Sequence, residues 1–338
     1  MDRPLVLVSG CAGHLGTALM LSLPAQGFTP VGIDILTSPT TTHIVDITSK
    51  PQVASLFAIY RFTHIIHAAT LHKPHVASHP KSAFLDVNLT GTLNLLEAAA
   101  AQVPRQPASF IFISTTSAFG SALSPPPGQP AAWIDEAVVP IPKNIYGTTK
   151  VAAEDLCRLV HRETGLPTLV LRTSRFFPEP DDDEDRRAAM DDDNLKVCEL
   201  AYRRVDIADV VSACVCAMAR AADIRFGKYI ISAPPPVRRT DETLKGLDAD
   251  AGEVIARAVP QARRVFEDRG WKFLARIDRI YDSSKAVREL SWSPEYTFEK
   301  AVEKIERGEE WRSDLTFLVG RKGYHAVSTG VYTVREAE

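Results

Sequence analysis

The sequence carries no apolar run approaching the ~18 residues that a membrane-spanning helix needs, so nothing in it reads as a span. It also lacks an excess of one charge. Lys and Arg number 39 against 42 Asp and Glu, a net charge of -3, which leaves no basic field to draw nucleic acid or an anionic bilayer. Cysteine is scarce and unpatterned. Cys11, Cys157, Cys198, Cys214 and Cys216 are odd in number, and their spacing fits neither a zinc site nor a disulfide framework. Free thiols in a reducing compartment are expected, hence a cytoplasmic protein. Residues 5–8 already read as a strand, so no signal peptide is expected. Internal repeats and low-complexity domains are missing as well.

What is present is an alternation. Short apolar runs at residues 5–8, 29–33, 64–67, 110–113 and 168–171 read as strands. Helix-like stretches lie between them at 13–23, 52–60, 82–101 and 145–164. In the third, Phe84, Val87, Leu89, Leu93, Leu96 and Ala99 gather on broad helical faces. Strand–helix alternation implies βαβ units with right-handed crossovers. The expected fold is α/β, a Rossmann-like doubly wound parallel sheet with a smaller C-terminal substrate-binding lobe. Residues 1–172 would form the cofactor domain, and 173–338 mainly the lobe, with some segments returning to the first domain. After Arg172 the regularity fades into proline-rich and acidic loops, with one further helix expected near 298–307.

The first strand runs into Ser9-Gly10-Cys11-Ala12-Gly13-His14-Leu15-Gly16. Gly10 permits a tight turn off the strand, Gly13 a close approach of backbone to a pyrophosphate, and Gly16 close packing of the next helix. The N–H groups at that helix start favour an anion. The second strand ends at Asp34, eighteen residues past Gly16. A carboxylate there can accept both ribose hydroxyls and repel a 2′-phosphate, which favours NAD over NADP. The bland reading of Asp34 is a solvated turn residue.

Tyr146-Gly147-Thr148-Thr149-Lys150 opens the helix at 145–164 and puts Tyr146 and Lys150 on one face. A phenol near its usual pKa of ~10 is a poor base at neutral pH, and a nearby ammonium should lower it. Tyr146 would then exchange a proton with an alcohol while hydride moves at carbon, and Lys150 would hold the nicotinamide ribose. The alternative is a surface Tyr–Lys pair. The strand at 110–113 ends in Ser114-Thr115-Thr116-Ser117, hydroxyls placed where a doubly wound sheet opens its crevice.

These residues together resemble the extended short-chain dehydrogenases/reductases, the NAD-dependent epimerase/dehydratase group, over nearly the whole chain. The resemblance implies that Gly10, Gly13, His14, Leu15, Gly16 and Asp34 bind NAD. It adds Asp46 and Ile47 at adenine, Ala68 and Ala69 of His67-Ala68-Ala69 beside the cofactor, and Asn88 of Asn88-Leu89-Thr90-Gly91-Thr92 as a support of the active site. Aligning Ala118-Phe119-Gly120 places the catalytic hydroxyl at Thr115, with Tyr146 and Lys150 as the other catalytic residues. Residues 205–210 and 282–294 resemble later landmarks of the group.

Departures narrow the expectation. Thr116-Ser117 stand where dehydratases of the group carry Asp-Glu, and Arg175 replaces the Asn of the nucleotide-sugar pattern. The stretch 178–205 is also short for a lobe that holds a nucleotide diphosphate. The expected activity is therefore NAD-dependent hydride transfer at a secondary alcohol or ketone carbon of a small polyhydroxy or anionic substrate. Thr115, Thr116, Arg175 and His72 would contact it. An NAD-retaining sugar 4-epimerase and a non-catalytic dinucleotide sensor are the alternatives. A homodimer through the helices at 82–101 and 145–164 is implied by the resemblance. No metal is expected. Pro74 and Pro80 should keep His72, His75 and His79 from converging, and the acidic runs 181–185 and 191–193 lack a calcium-loop pattern.

Overall fold

A computed structural model describes residues 3–176, 178 and 184–322. The strands in chain order are β1 (Leu5–Ser9), β2 (Thr29–Asp34), β3 (His43–Ile44), β4 (His64–His67), β5 (Ser109–Thr115), β6 (Ala132–Ile134), β7 (Thr168–Thr173), β8 (Phe226–Ile231) and β9 (Arg279–Tyr281). Seven of them form a parallel sheet in the order β3-β2-β1-β4-β5-β7-β8, flanked by helices, and β6 pairs with β9 separately. Leu7 of β1 is in register with Val31 on one side and Ile65 on the other. The strand order reverses between β1 and β4, the switch point at which a doubly wound sheet opens a crevice. β5 and β7 are buried along their whole length. That burial explains why these strands read as continuous apolar runs and not as alternating ones.

The helices that position the site are α1 (His14–Ser22), α2 (Lys50–Ile59), α3 (Lys81–Leu85), α4 (Thr92–Ala100) and α5 (Ile145–Thr164). α5 spans the stretch expected from its periodicity. Asn144 caps its start by accepting from the Gly147 N–H at 3.0 Å, and Gly165 ends it at φ 76°. The single helix expected over 82–101 is instead α3 and α4 joined by a π-helical turn, Asp86–Gly91. Such a turn inserts an extra residue into the ladder, and it is found most often at functional sites.

The described residues divide into two compact units. One holds 3–118, 142–172 and 211–229, and the other 119–141, the described part of 173–210, and 230–322. Each has its own core. In the first, Leu7, Ile33, Phe62, Leu95, Phe110, Phe112 and Val170 pack together. In the second, Val197, Leu200, Phe266, Phe298 and Trp311 do so. The late helix appears as Phe298–Glu306. Helix Ile207–Ile224 and β8 were not expected from the apolar pattern. Two landmarks of the second unit meet. Asp209 accepts from the N–H groups of Glu295 and Tyr296 at 2.8 and 2.9 Å, and its own carbonyl accepts from the Trp292 indole at 3.1 Å. Among the described residues no helix is long and apolar enough to cross a membrane.

Candidate active site

The glycine loop is shaped by contacts that a side chain would destroy. Gly10 turns at φ +75°, and a Cβ on it would lie 2.7 Å from the Ala69 backbone. A Cβ on Gly16 would lie 2.0 Å from the Gly10 carbonyl oxygen. Gly13 is the N-cap of α1, where no side chain caps the helix and no acidic residue occupies the first turn. His14 and Leu15 are the first buried residues of that helix. The Asp34 carboxylate lies against the loop. Its Oδ2 accepts from the Ala12 N–H and its Oδ1 from the Leu36 N–H, each at 3.0 Å. An uncapped helix start and glycine backbone offer N–H donors to a pyrophosphate, and the adjacent carboxylate offers acceptors to ribose hydroxyls, so the residues present fit NAD.

Around the loop, the Ala68 N–H donates to the Ser9 carbonyl at 3.2 Å and the Ala69 N–H to the Ser9 hydroxyl at 3.3 Å. His67 is buried between the Ser9 and Thr92 hydroxyls, at 2.7 and 2.9 Å. Burial pushes its pKa down to about 3, helped by the charge of Lys150. Asp46 closes a turn by accepting from the Thr48 N–H and hydroxyl, at 2.9 and 2.8 Å. Ile47 packs under Gly91, where a Cβ would come within 2.6 Å of its side chain.

Thr115 at the end of β5 and Tyr146 and Lys150 on α5 are all buried. Desolvation pushes Tyr146 up to about 12, against the opposing effect of a hydrogen bond with Thr115. Lys150 is pushed down to about 7 by burial, against the pull of Cys157 and Glu154, and its Nζ lies 4.0 Å from the centre of the Phe112 ring. This corrects the expectation that the ammonium holds the phenol low. When both groups leave water, each is driven towards its neutral form. Thr115 Oγ1 also accepts from the Ser117 N–H at 3.1 Å, and Thr116 is buried in the turn Thr116–Ala118. Asn88, in the π turn, donates to Thr149 Oγ1 at 3.0 Å and to the Leu71 carbonyl at 2.9 Å. The His72 ring centre lies 6.4 Å from that of Tyr146.

Sequence reasoning passed over Glu154, although Tyr146, Lys150 and Glu154 recur every four residues along α5. Glu154 is fully buried. It accepts from Ser114 Oγ at 2.7 Å, from Arg172 at 2.9 and 2.7 Å, and from Lys228 at 2.8 Å. The arginine and lysine outweigh its desolvation and hold its pKa below the usual carboxylate range.

The histidines depart from expectation as well. A short 3-10 helix, Lys73–Ala77, brings them into a column, with ring centres 4.8 Å apart for His72 and His75 and 5.0 Å for His75 and His79. Pro74 sits in the first turn of this tighter helix and does not separate the rings. Among the described residues no group of three or more His, Cys, Asp or Glu could hold a metal ion. All five cysteines are free. In the second unit, Arg175 lies 3.9 Å from the buried Glu199, which also binds Arg203 and Arg204. Of the acidic run 181–185, residues 181–183 lie outside the described residues, as does Phe177. Asp191 caps helix Asp192–Leu200.

Residues 6–231 match the NAD dependent epimerase/dehydratase family. The chain belongs to that family. Among its curated relatives, UDP-glucose 4-epimerase 2 of Oryza sativa subsp. japonica is 30% identical over 175 residues, 46% of this chain and 40% of that protein. The UDP-glucose 4-epimerase of Rhizobium meliloti (strain 1021) is 30% identical over 180 residues, 51% and 52% of the two chains. The chain thus spans about half the length of the curated relatives it matches. Among solved structures, the UDP-N-acetylglucosamine 4-epimerase of Bacillus cereus superposes with a TM-score of 0.61 at 21% identity, covering 90% of this chain and 98% of that one. The UDP-glucose 4-epimerase of Thermus thermophilus, in complex with NAD, gives 0.59 at 21% identity, over 89% and 99%. These likenesses establish the family's fold. Residues beyond 231 fall outside the family match.

Proposed function

We propose that the protein is an NAD-dependent enzyme that transfers hydride at a secondary alcohol or ketone carbon of a small, sugar-like substrate. The observation that carries this reading is the burial of Thr115, Tyr146 and Lys150 together, in the unit where Asp34 lies against an uncapped, glycine-lined helix start.

Bound NAD supplies the hydride acceptor or donor and, when oxidised, a positive charge. The protein does the rest. Gly10, Gly13, His14, Leu15 and Gly16 would cradle the pyrophosphate, Asp34 the adenosine ribose, and Asp46 and Ile47 the adenine. Ala68, Ala69, Asn88, Tyr146 and Lys150 would complete that site. Thr115 orients the reacting oxygen by hydrogen bonding. Tyr146 takes the alcohol proton at Oη and returns it in the reverse direction. Its resting pKa of about 12 means that it keeps its proton until positive charge arrives. Lys150, at about 7, stands near its own midpoint at neutral pH and can supply such a charge. Thr116, His72 and Arg175 are proposed substrate contacts. Residues up to 172 would mainly hold the cofactor and those beyond mainly the substrate, in a cytoplasmic homodimer.

The names of the relatives favour a second reading, an NAD-retaining sugar 4-epimerase that uses the same Thr115, Tyr146 and Lys150. The experiment that separates the two is purification followed by assay. Protein free of cofactor that reduces added NAD with sugars, sugar acids or polyols supports the first reading. Retained NAD with interconversion of UDP-glucose and UDP-galactose supports the second. Absence of both activities overturns hydride transfer.

A further inference from the structure

We propose that His75 is a positioning residue that fixes His72 as a hydrogen-bond donor beside the Tyr146 phenol. The chain entering His72 is pinned first. Asn88 Oδ1 accepts from the Thr70 hydroxyl and the Leu71 N–H, both at 2.9 Å. Its Nδ2 donates to the Leu71 carbonyl and to Thr149 Oγ1 on α5, one turn from Tyr146. His72 therefore leaves a segment already tied to the catalytic helix.

His72 then caps the 3-10 helix Lys73–Ala77 in a reciprocal pair. Its N–H donates to His75 Nδ1 at 3.0 Å, and the His75 N–H donates back to the His72 side chain. The usual partners in such a box are a hydroxyl and a carboxylate or carboxamide. Here both partners are imidazoles, and this carries a consequence that a hydroxyl would not. A ring nitrogen that accepts an N–H bears no proton, so the neutral ring carries its one proton on the other nitrogen. Each imidazole is thereby held in a single tautomer. His75 is buried, and its ring meets that of His72 edge to face, 4.8 Å between centres at 84°. The His72 ring in turn meets Tyr146 at 6.4 Å and 67°.

The result is one N–H donor of fixed direction next to the phenol. Such a donor selects a substrate that carries an acceptor oxygen, a hydroxyl, carbonyl or carboxylate, on its side facing His72. An ammonium at that place would be refused. This specificity role rests on the hydride-transfer reading; the tautomer itself does not.

The test uses the full chain labelled with 15N-histidine, its His72 signals assigned by their loss in His72→Gln. Long-range 1H–15N spectra near neutral pH should show one protonated and one unprotonated nitrogen in His72. His75→Asn, whose carboxamide oxygen can replace Nδ1, should keep that pattern. His75→Leu should average the two nitrogens. With the sugar, sugar acid or polyol that the native protein oxidises with added NAD as the kinetic probe, or UDP-glucose where it is epimerised instead, His75→Leu should raise KM about tenfold, the worth of one hydrogen bond, with little change in kcat, and His75→Asn should restore it. Averaged His72 nitrogens in the native protein, or a pattern unchanged in His75→Leu, overturn the proposal. A single native tautomer that averages in His75→Leu, in a protein that neither reduces NAD with sugars, sugar acids or polyols nor epimerises UDP-glucose, upholds the tautomer lock and counts against the hydride-transfer reading.

Discussion

A buried phenol and a buried ammonium are costly residues to keep, and their cost makes them testable one at a time. Tyr146→Phe removes the phenol hydroxyl but little volume. With Tyr146 as the proposed proton carrier, this should lower kcat by about three orders of magnitude, the scale of general acid–base catalysis, while NAD affinity measured by calorimetry stays nearly the same. Lys150 gives a pH signature. Its pKa falls from 10.5 unfolded to about 7 folded. Below 7 both states hold the ammonium and the full cost of burying it is felt. Between 7 and 10.5 the unfolded chain binds the extra proton, so this residue's penalty shrinks as pH rises. Lys150→Met should therefore raise Tm most below pH 7, by roughly 5 °C, with the gain fading towards 10.5. Differential scanning calorimetry across that range checks it; a gain independent of pH would contradict the shift. That Tyr146 and Lys150 lie on one helix was legible from spacing. The direction of their shifts was not, because desolvation depends on what covers them.

At the scale of elements, α5 is held to three strands by one carboxylate. Glu154 joins it to β5 through Ser114, to β7 through Arg172 and to β8 through Lys228. Removing one partner of a buried ion pair strands the others, which typically costs roughly 3–5 kcal/mol. Glu154→Gln should lower the urea midpoint by that equivalent without changing the slope, and should reduce kcat because Thr115 follows Ser114 directly. The glycine loop, α1 and β2 were readable in order because each is encoded locally by glycine spacing, apolar runs and a closing acid. The π turn was not readable. Its irregularity serves Asn88, whose partners at Thr70, Leu71 and Thr149 lie 17 to 61 residues away. The histidine column was hidden for a related reason. Pro74, which looked like a separator, lies in the first turn of the short helix that stacks the rings.

At the scale of the whole molecule, the proposed homodimer needs an apolar helix face. Leu159 on α5 is 47% exposed and Leu85 on α3 is 45% exposed. Sedimentation should give twice the chain mass, and Leu159→Arg should return the monomer; an unchanged mass would place any interface elsewhere. The sequence by itself determined the family, the doubly wound parallel sheet, and the run of β1, glycine loop, α1 and β2 along the chain. Each of these is written in short-range spacing along one stretch of chain. Only the tertiary structure decided that Glu154 anchors α5, that Asp209 receives the backbone before Thr297, and that burial drives Tyr146 and Lys150 towards neutrality. Those outcomes depend on which distant groups exclude water and which supply a partner, and no local pattern records that.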